Sequence, residues 1–132
     1  MKNPIKLNNK RKYDGGITDP LPVKKAYEMG ARDITIIRTY EESFIRKTKL
    51  ENYIAALATR SHPEISKAIL FNNVTYNSAL KFIKNPPSDC TIKQICPPHR
   101  LKTKRATTNH ITMKADYQMG LKAGQNFLQK LT

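Results

Sequence analysis

The chain has only two cysteines among its 132 residues, Cys90 and Cys96. Five residues separate them, which is not the paired spacing of a zinc site, and a disulfide framework needs more cysteines. Both are therefore predicted to be ordinary thiols in a reducing compartment.

Histidine is almost as scarce, and His62, His99 and His110 lack the His-x-x-x-His or His-Glu-x-x-His spacing of a metal site. We therefore predict no metal site.

Long apolar runs are missing as well. No stretch approaches the roughly 18 apolar residues that a membrane-spanning helix needs. The chain begins Met-Lys-Asn-Pro-Ile-Lys, with no apolar segment behind the charges, so a secretory signal is not predicted. By default we expect a cytoplasmic protein.

Acidic residues are few, since 10 Asp and Glu stand against 24 Lys and Arg, for a net charge of +14. Residues 1–60 carry 13 basic and 7 acidic side chains, and residues 61–132 carry 11 and 3, so the excess is spread along the chain. This balance is compatible with a nucleic-acid partner. It suits an anionic membrane surface equally, at about 1 kcal/mol per basic residue near the headgroups. A basic proteome or an acidic partner would also explain it, so charge alone does not choose.

The first 39 residues predict alternating strands and helices. Asn8-Asn9 can form a two-residue hairpin turn because asparagine tolerates positive φ. Pro22 suits the first turn of a helix, and Gly30 suits its end. The predicted elements are a hairpin over residues 5–7 and 10–13, a helix over 23–29 and a buried strand over 34–37.

The rest of the sequence predicts three more helices and one more strand. Asn72-Asn73 is predicted to break the second of these helices, and Gly120 and Gly124 weaken the last. The first has an apolar face formed by Leu50, Ile54, Leu57 and Ala58. The predicted elements are helices over residues 50–59, from 63 to the Pro86-Pro87 pair, and over 111–131, with a strand over 91–96. This mixture is typical of an α/β fold.

The segment YDGGITDPLPVKKAYEMGARDITIIRT, residues 13–39, resembles the catalytic-aspartate segment of the patatin-like phospholipase family, in its bacterial branch. In that family a strand ends in Asp-Gly-Gly or Asp-Gly-Ala, and a proline-containing turn, a helix ending at glycine and a buried strand follow. Three later segments, YNSALKFI, TIKQICPPHRLKTKR and ADYQMGLKAG, resemble the C-terminal part of the same proteins.

The resemblance implies the C-terminal part of a patatin-like three-layer α/β fold, with helices packed on a small partial sheet. Residues 1–60 would be the C-terminal part of the patatin-like domain, including the Asp-Gly-Gly segment. Residues 61–132 would be the helical C-terminal region that accompanies it, with one short strand.

The resemblance also implies a chemistry. Patatin-like enzymes hydrolyse acyl esters of lipids with a Ser-Asp dyad and no cofactor. The serine attacks the carbonyl carbon, and the aspartate accepts the serine proton directly. By this resemblance Asp14 is the dyad base, and Gly15 and Gly16 shape its loop. They permit backbone geometry closed to other residues, and they would let the backbone pass close to the nucleophile turn without a Cβ clash. The alternative is a turn aspartate that caps nearby N–H groups.

The sequence lacks the serine that this aspartate would serve. The family's nucleophile lies in a Gly-x-Ser-x-Gly elbow, and no serine here has a glycine two residues away on either side. The family's glycine-rich oxyanion segment is missing too. We therefore expect no patatin-type hydrolysis from this chain alone, and expect an N-terminal patatin half to supply the serine.

A basic segment follows the last predicted strand. RLKTKR carries four cations, which are Arg100, Lys102, Lys104 and Arg105. They would contact phosphates of lipid headgroups or nucleic acid, and a solvated loop is the alternative. Nucleic-acid modules usually interleave stacking aromatics with their charges, and none is present here. This favours an anionic lipid surface, at the inner membrane face, over nucleic acid. A small basic protein that binds nucleic acid or membranes is the alternative to the hydrolase fragment.

Overall fold

The structure is a computed structural model that describes residues 5–8, 10–12, 14–47, 50–104 and 106–131. The elements are β1 (Ile5–Leu7), β2 (Lys10–Lys12), α1 (Val23–Glu28), β3 (Asp33–Ile37), α2 (Leu50–Ala58), α3 (Pro63–Lys84), β4 (Thr91–Ile95) and α4 (His110–Gln129). Helices with a small parallel sheet make this a mixed α/β structure, as the sequence predicted. The chain divides into two compact units, residues 1–29 with 45–85 and residues 30–44 with 86–132.

The first unit begins with the predicted hairpin. β1 pairs antiparallel with β2, with Leu7 opposite Lys10. Asn8 has a φ of 50°, the left-handed turn conformation that asparagine tolerates. Tyr13, predicted to end the second strand, lies outside the described residues.

The core of the first unit lies on α3. Both α1 and α2 pack against this helix. The Tyr27 ring of α1 lies 5.6 Å from the Phe82 ring, centroid to centroid. The most buried apolar side chains here are Val23, Ala56, Tyr76, Ala79, Leu80 and Ile83.

The predicted break at Asn72-Asn73 is wrong, because α3 runs without interruption from Pro63 to Lys84. Asparagine disfavours helices when its side chain competes for the backbone. Here both amides are engaged elsewhere, since Asn72 bonds to an upstream turn and buried Asn73 accepts a 2.9 Å hydrogen bond from Asn52 of α2. Tertiary partners thus remove the local competition.

The apolar face predicted for the helix that is α2 in the structure is exposed and does not point into a core. Leu50, Ile54 and Leu57 are 74%, 61% and 67% exposed, and Tyr53 beside them is also exposed. Buried Ala56 lies on the other side of α2, and half-buried Asn52 bonds to α3. The helix therefore packs through its smaller and more polar side.

The second unit contains β3 and β4 as a parallel pair, with Ile34 opposite Ile92 and Ile36 opposite Gln94. α4 packs on β4. The prediction of a buried strand at residues 34–37 is only partly correct, because Ile36 is buried but Ile37 is 78% exposed. In the described residues β3 pairs with β4 alone, so the strand lacks the neighbours that would enclose it.

The helix end predicted at Gly30 is present, and the structure adds a cap at the start of α4. α1 is followed by Gly30 with a φ of 101°, a conformation that favours glycine. The side chain of Asn109 caps α4 by accepting from the Thr112 N–H at 3.1 Å. Within the described ranges, no helix combines the length and apolar character needed to cross a bilayer.

Candidate functional site

Asp14 occupies the first position of a tight turn. The residue itself has extended backbone geometry, and residues Gly15–Ile17 form one turn of 3₁₀ helix after it. Its Oδ1 accepts a 2.9 Å hydrogen bond from the Gly16 N–H, and its carbonyl accepts from the Ile17 N–H at 3.0 Å. The carboxylate is exposed. Asp14 therefore caps the local turn through one oxygen while the side chain faces solvent.

The two glycines of this turn do not use glycine's special backbone freedom, which corrects the reason given for them from the sequence. Among the glycines that the structure describes, Gly30 alone has positive φ. A Cβ added at Gly15 would meet no atom within 4 Å, whereas a Cβ added at Gly16 would lie 3.3 Å from the Asp14 Oδ1. The absence of a Cβ at Gly16 therefore leaves room for the Asp14 carboxylate beside the backbone of the turn.

The residue that fixes this turn to the fold was not predicted from the sequence. Asn72 of α3 donates through Nδ2 to the carbonyls of Gly16 and Ile17, at 2.8 Å each. Its Oδ1 in turn accepts from the Arg46 guanidinium. Nothing in the local sequence signals these contacts, because Asn72 and the turn are more than 50 residues apart.

Arg46 links the turn to the middle of α3. Its guanidinium carbon lies 4.3 Å from the centroid of the Tyr76 ring, a cation–π arrangement. Its backbone N–H donates to the Asn77 Oδ1 at 3.0 Å, and its carbonyl accepts from the Asn77 Nδ2 at 2.8 Å. The Asp14 turn therefore sits on a connected set of polar side chains and not on a loose loop.

No serine hydroxyl bonds to Asp14 among the described residues. Ser78 lies next to a cation instead, because its Oγ accepts from the Lys24 Nζ at 2.7 Å. Together with Asp19, Leu21 and Phe71 they line a groove of about 260 Å³. The ammonium donates to the serine oxygen, whereas a general base would have to accept the serine proton. This contact therefore does not activate Ser78.

The basic segment belongs to the second unit. Arg100, Lys102 and Lys104 are exposed, and Leu101 and Thr103 between them are half-buried. The Thr103 N–H donates to the Asp116 Oδ2 of α4 at 2.6 Å. This bond holds the middle of the segment against α4. The exposed cations therefore alternate with half-buried residues along the segment. Arg105, the fourth predicted cation, lies outside the described residues.

Two titratable groups of this unit have shifted pKa values. Contact with the Thr103 side chain, and then the bond from the Thr103 N–H, holds the pKa of Asp116 below its ordinary value. Burial raises the pKa of the Cys96 thiol, and the nearby Glu42 charge adds to this, against an opposing effect of Arg38. In the described residues no three His, Cys, Asp or Glu side chains are grouped as metal ligands.

Comparisons with known proteins give a family but no activity. The protein YjjU of Escherichia coli (strain K12), itself uncharacterized, is 26% identical over 125 residues, which cover 94% of this chain and 35% of that protein. The chain therefore spans about a third of the length of this relative. No solved structure matches the chain. The sequence model for a domain of unknown function, DUF6363, matches residues 62–132, more than half of the chain. The chain therefore belongs to the DUF6363 family.

Proposed function

We propose that this chain carries the carboxylate half of a Ser-Asp dyad in a patatin-like lipid acyl hydrolase, with Asp14 as the base. The observation that supports this most directly is the exposed Asp14 carboxylate at the start of the Asp-Gly-Gly turn. The elements around it follow the order that the resemblance implies. β2 precedes the turn, and α1, Gly30 and β3 follow it.

The geometry of Asp14 is compatible with accepting a proton. One carboxylate oxygen, Oδ1, caps the Gly16 N–H, which holds the side chain in a fixed orientation. Asp14 makes no second side-chain hydrogen bond among the described residues, so Oδ2 is available to a hydroxyl approaching within about 2.6–3.2 Å. In the proposed reaction the serine oxygen attacks the ester carbonyl as Asp14 takes its proton, and Asp14 returns that proton to the departing alcohol as the acyl-enzyme forms. Water then hydrolyses the acyl-enzyme and releases the fatty acid.

The serine would come from a complementary half, because this sequence contains no Gly-x-Ser-x-Gly elbow. The relative YjjU is nearly three times as long as the part that this chain matches, which leaves room in such proteins for a nucleophile segment. The isolated chain is therefore expected to be inactive as an esterase.

The test reconstitutes the dyad. This chain is co-expressed with a polypeptide that carries a Gly-x-Ser-x-Gly elbow and is encoded immediately upstream, and hydrolysis of a p-nitrophenyl acyl ester is measured. Asp14→Asn should lower the rate at least about 100-fold, the range for removing a general base. Asp19→Asn is the matched control, because Asp19 caps the Leu21 N–H through its side chain in the same way, and it should leave the rate within about twofold. Full activity in Asp14→Asn, or none in the assembled pair, would overturn the proposal.

A second candidate function is contact with an anionic lipid surface through the basic segment. The observation that favours it is the anchoring of Thr103 by Asp116, which presents Arg100, Lys102 and Lys104 to solvent. Three cations near headgroups contribute about 3 kcal/mol in total. This is enough for weak, salt-sensitive attachment.

Vesicle sedimentation tests this second function. The chain should sediment with phosphatidylglycerol-containing vesicles at low salt and not with pure phosphatidylcholine, and the Lys102→Gln, Lys104→Gln double variant should bind at least threefold more weakly. The control is Lys67→Gln with Lys81→Gln, which removes two exposed lysines from α3 and the same total charge. Equal loss in both double variants would mean that overall charge, and not this segment, is responsible. Tight, salt-steep binding to DNA would point to nucleic acid instead.

A further inference from the structure

A groove lies within the second unit, where α4 packs on β4. Its volume is about 520 Å³, and sites for small molecules typically have volumes of roughly 300–1,000 Å³. α4 contributes Met119, Ala123 and Phe127 to the lining, and the end of β4 contributes Ile95 and Cys96. All five side chains are half-buried. This groove, which we call the α4 groove, therefore presents apolar surface that a bound molecule would cover.

The charged side chains of the α4 groove are mostly cations. Lys122 and Lys130 give two positive charges and Glu42 gives one negative charge, for a net charge of +1. Among the described residues, none of these three takes part in an ion pair. Lys122 also borders the surface beside Leu121 and Leu128, so Lys130 is the better candidate to contact a ligand in the groove. A singly charged anion would balance the net charge of this lining.

Gln94 adds a hydrogen-bond donor whose orientation is fixed. Its Oε1 accepts a 3.0 Å hydrogen bond from the guanidinium of Arg38, which is buried. Because arginine has no acceptor, the amide oxygen must face Arg38 and the amide NH2 group must face away from it. Within the described part of the chain, this NH2 group donates to no protein atom. Since Gln94 lines the α4 groove, it can offer this group to an acceptor there.

Arg38 also makes the groove favourable to an anion. The Cys96 thiol lines the groove, so its pKa shows which of the nearby charges dominates. Burial raises the pKa of this thiol, and Arg38 lowers it by more than Glu42 raises it. The guanidinium therefore outweighs the Glu42 carboxylate at this point, and the two charges together favour a negative group over a neutral one.

We propose that the α4 groove binds a small amphiphilic carboxylate, a molecule with an apolar body and one carboxylate group. The apolar body lies against the side of α4 that carries Met119, Ala123 and Phe127. The carboxylate accepts hydrogen bonds from Gln94 and Lys130, because it can accept several at once and such bonds are stronger when a charge is involved. No residue of the Asp14 turn takes part, so the inference does not depend on the hydrolase proposal.

Titration of the isotope-labelled chain with octanoate, followed by NMR chemical shifts, tests this site. A ligand of about ten non-hydrogen atoms should bind with a dissociation constant on the order of 1 mM. The largest shifts should belong to amides of the groove, including those of Cys96 and Phe127. Octanol lacks the charge and should bind at least about tenfold more weakly. Acetate lacks the apolar body and should also bind at least about tenfold more weakly. Equal binding of octanol or acetate would overturn the proposal.

Gln94→Glu tests the carboxylate contact with a change of one group. A carboxylate oxygen replaces the amide NH2, while the other oxygen can still accept from Arg38. Octanoate binding should weaken at least about tenfold, because two like charges then face each other. Gln118→Glu is the matched control, since it adds the same charge at an exposed α4 residue that is not among those lining the groove. Equal weakening in both variants would show that overall charge, and not this contact, is responsible.

Ala123→Leu tests the apolar part with a variant that keeps the helix. Leucine is a good helix former, and its larger side chain would occupy space in the groove that Ala123 borders. We expect octanoate binding at least about fivefold weaker, with unchanged helicity by circular dichroism. Ala115→Leu, at an exposed position of the same helix, is the control and should leave binding unchanged.

Lys130→Gln should weaken octanoate binding at least about threefold, whereas Lys114→Gln, which removes the same charge from an exposed position of α4, should not. The proposal would be overturned by a chain that shows no saturable shifts up to roughly 20 mM octanoate, well above the expected dissociation constant. It would also be overturned by binding that Gln94→Glu and Ala123→Leu both leave intact.

Discussion

At the scale of single residues, Asn72 is the side chain on which the candidate dyad turn depends. It is the only described side chain that bonds to the carbonyls of both Gly16 and Ile17, and it reaches them from α3. The Asp14 carboxylate is held by its own turn, and the turn is held by Asn72. A substitution far from Asp14 in sequence should therefore affect the site.

We predict that Asn72→Ala lowers the free energy of unfolding by about 1–2 kcal/mol, since two hydrogen bonds to backbone carbonyls are lost. The urea denaturation midpoint measures this. Limited proteolysis should also cut faster between Asp14 and Asp19. Asn85→Ala at the exposed C-terminal end of the same helix is the control and should change stability by less than about 0.5 kcal/mol. Equal effects of the two substitutions would contradict the role given to Asn72.

Cys96 gives a second prediction at this scale. Because burial and the Glu42 charge raise the pKa of its thiol, less of it is thiolate near neutral pH, and the thiolate is the reactive form. In a Cys90→Ala background, the pH midpoint of its alkylation by iodoacetamide should lie above that of an ordinary thiol. Glu42→Gln should move the midpoint down. A midpoint at or below the ordinary value would show that Cys96 is not held in this environment.

Residues that act within their own turn were predicted correctly from the sequence. Residues that act through contacts with distant parts of the chain were missed. The positive φ of Asn8 and Gly30 follows from properties of the residue types themselves. Asn72 was predicted to break a helix because its type usually does so, and its partners more than 50 residues away reversed that preference. Asp116 was not singled out either, because its importance depends on the Thr103 N–H.

At the scale of elements, the basic segment depends on α4 through one bond. The Asp116 carboxylate accepts from the Thr103 N–H, and its pKa is lowered. A carboxyl group whose pKa is lower in the folded than in the unfolded protein stabilises the fold. This stabilisation is fully present at pH values above the pKa of the unfolded protein, which is about 3.9 for aspartate. That contribution is lost as the pH falls from there through the folded pKa.

We therefore predict that stability falls as the pH is lowered below about 4, and that Asp116→Asn reduces this dependence. Urea midpoints measured between roughly pH 2.5 and 6, a range that brackets the ordinary aspartate value, give the comparison. Glu64→Gln, which removes an exposed carboxylate from the first turn of α3, serves as control and should keep the wild-type slope. If Asp116→Asn showed the full acid dependence, the bond to Thr103 would not be the group that titrates.

The elements also show where pattern reading succeeds. Periodicity and end signals predicted the hairpin, the order of helices and strands, and the end of α1 at Gly30. The same periodicity gave α2 an apolar face but could not tell which side of the helix would pack. The side that packs on α3 carries Ala56, which is buried, and Asn52, which donates to the Asn73 Oδ1. These contacts are visible only once the two helices are adjacent.

At the scale of the whole molecule, large apolar side chains are exposed on two helices. On α4 these include Tyr117, Leu121 and Leu128, and on α2 four neighbouring side chains point to solvent, namely Leu50, Tyr53, Ile54 and Leu57. Contiguous exposed apolar patches of this kind usually mark interaction surfaces or a tendency to aggregate. Among the described residues, the strand pair β3 and β4 has two outer edges without a strand partner. The chain by itself is therefore expected to be marginally stable and prone to associate.

The apolar side of α2 gives the last prediction. Leu57 is 67% exposed, so Leu57→Gln removes apolar surface from water contact without opening a cavity. It should lower the rate of aggregation at 37 °C and the binding of an apolar fluorescent dye, and shift the unfolding midpoint little. Leu80→Gln, on the buried side of α3, is the contrasting variant. It should cost about 3 kcal/mol or more, because it buries an amide without a partner. If Leu57→Gln destabilised the chain as much as Leu80→Gln, α2 would have to pack through the opposite side from the one described. A cooperative, monomeric melt of the wild-type chain would contradict the expectation that it needs a partner.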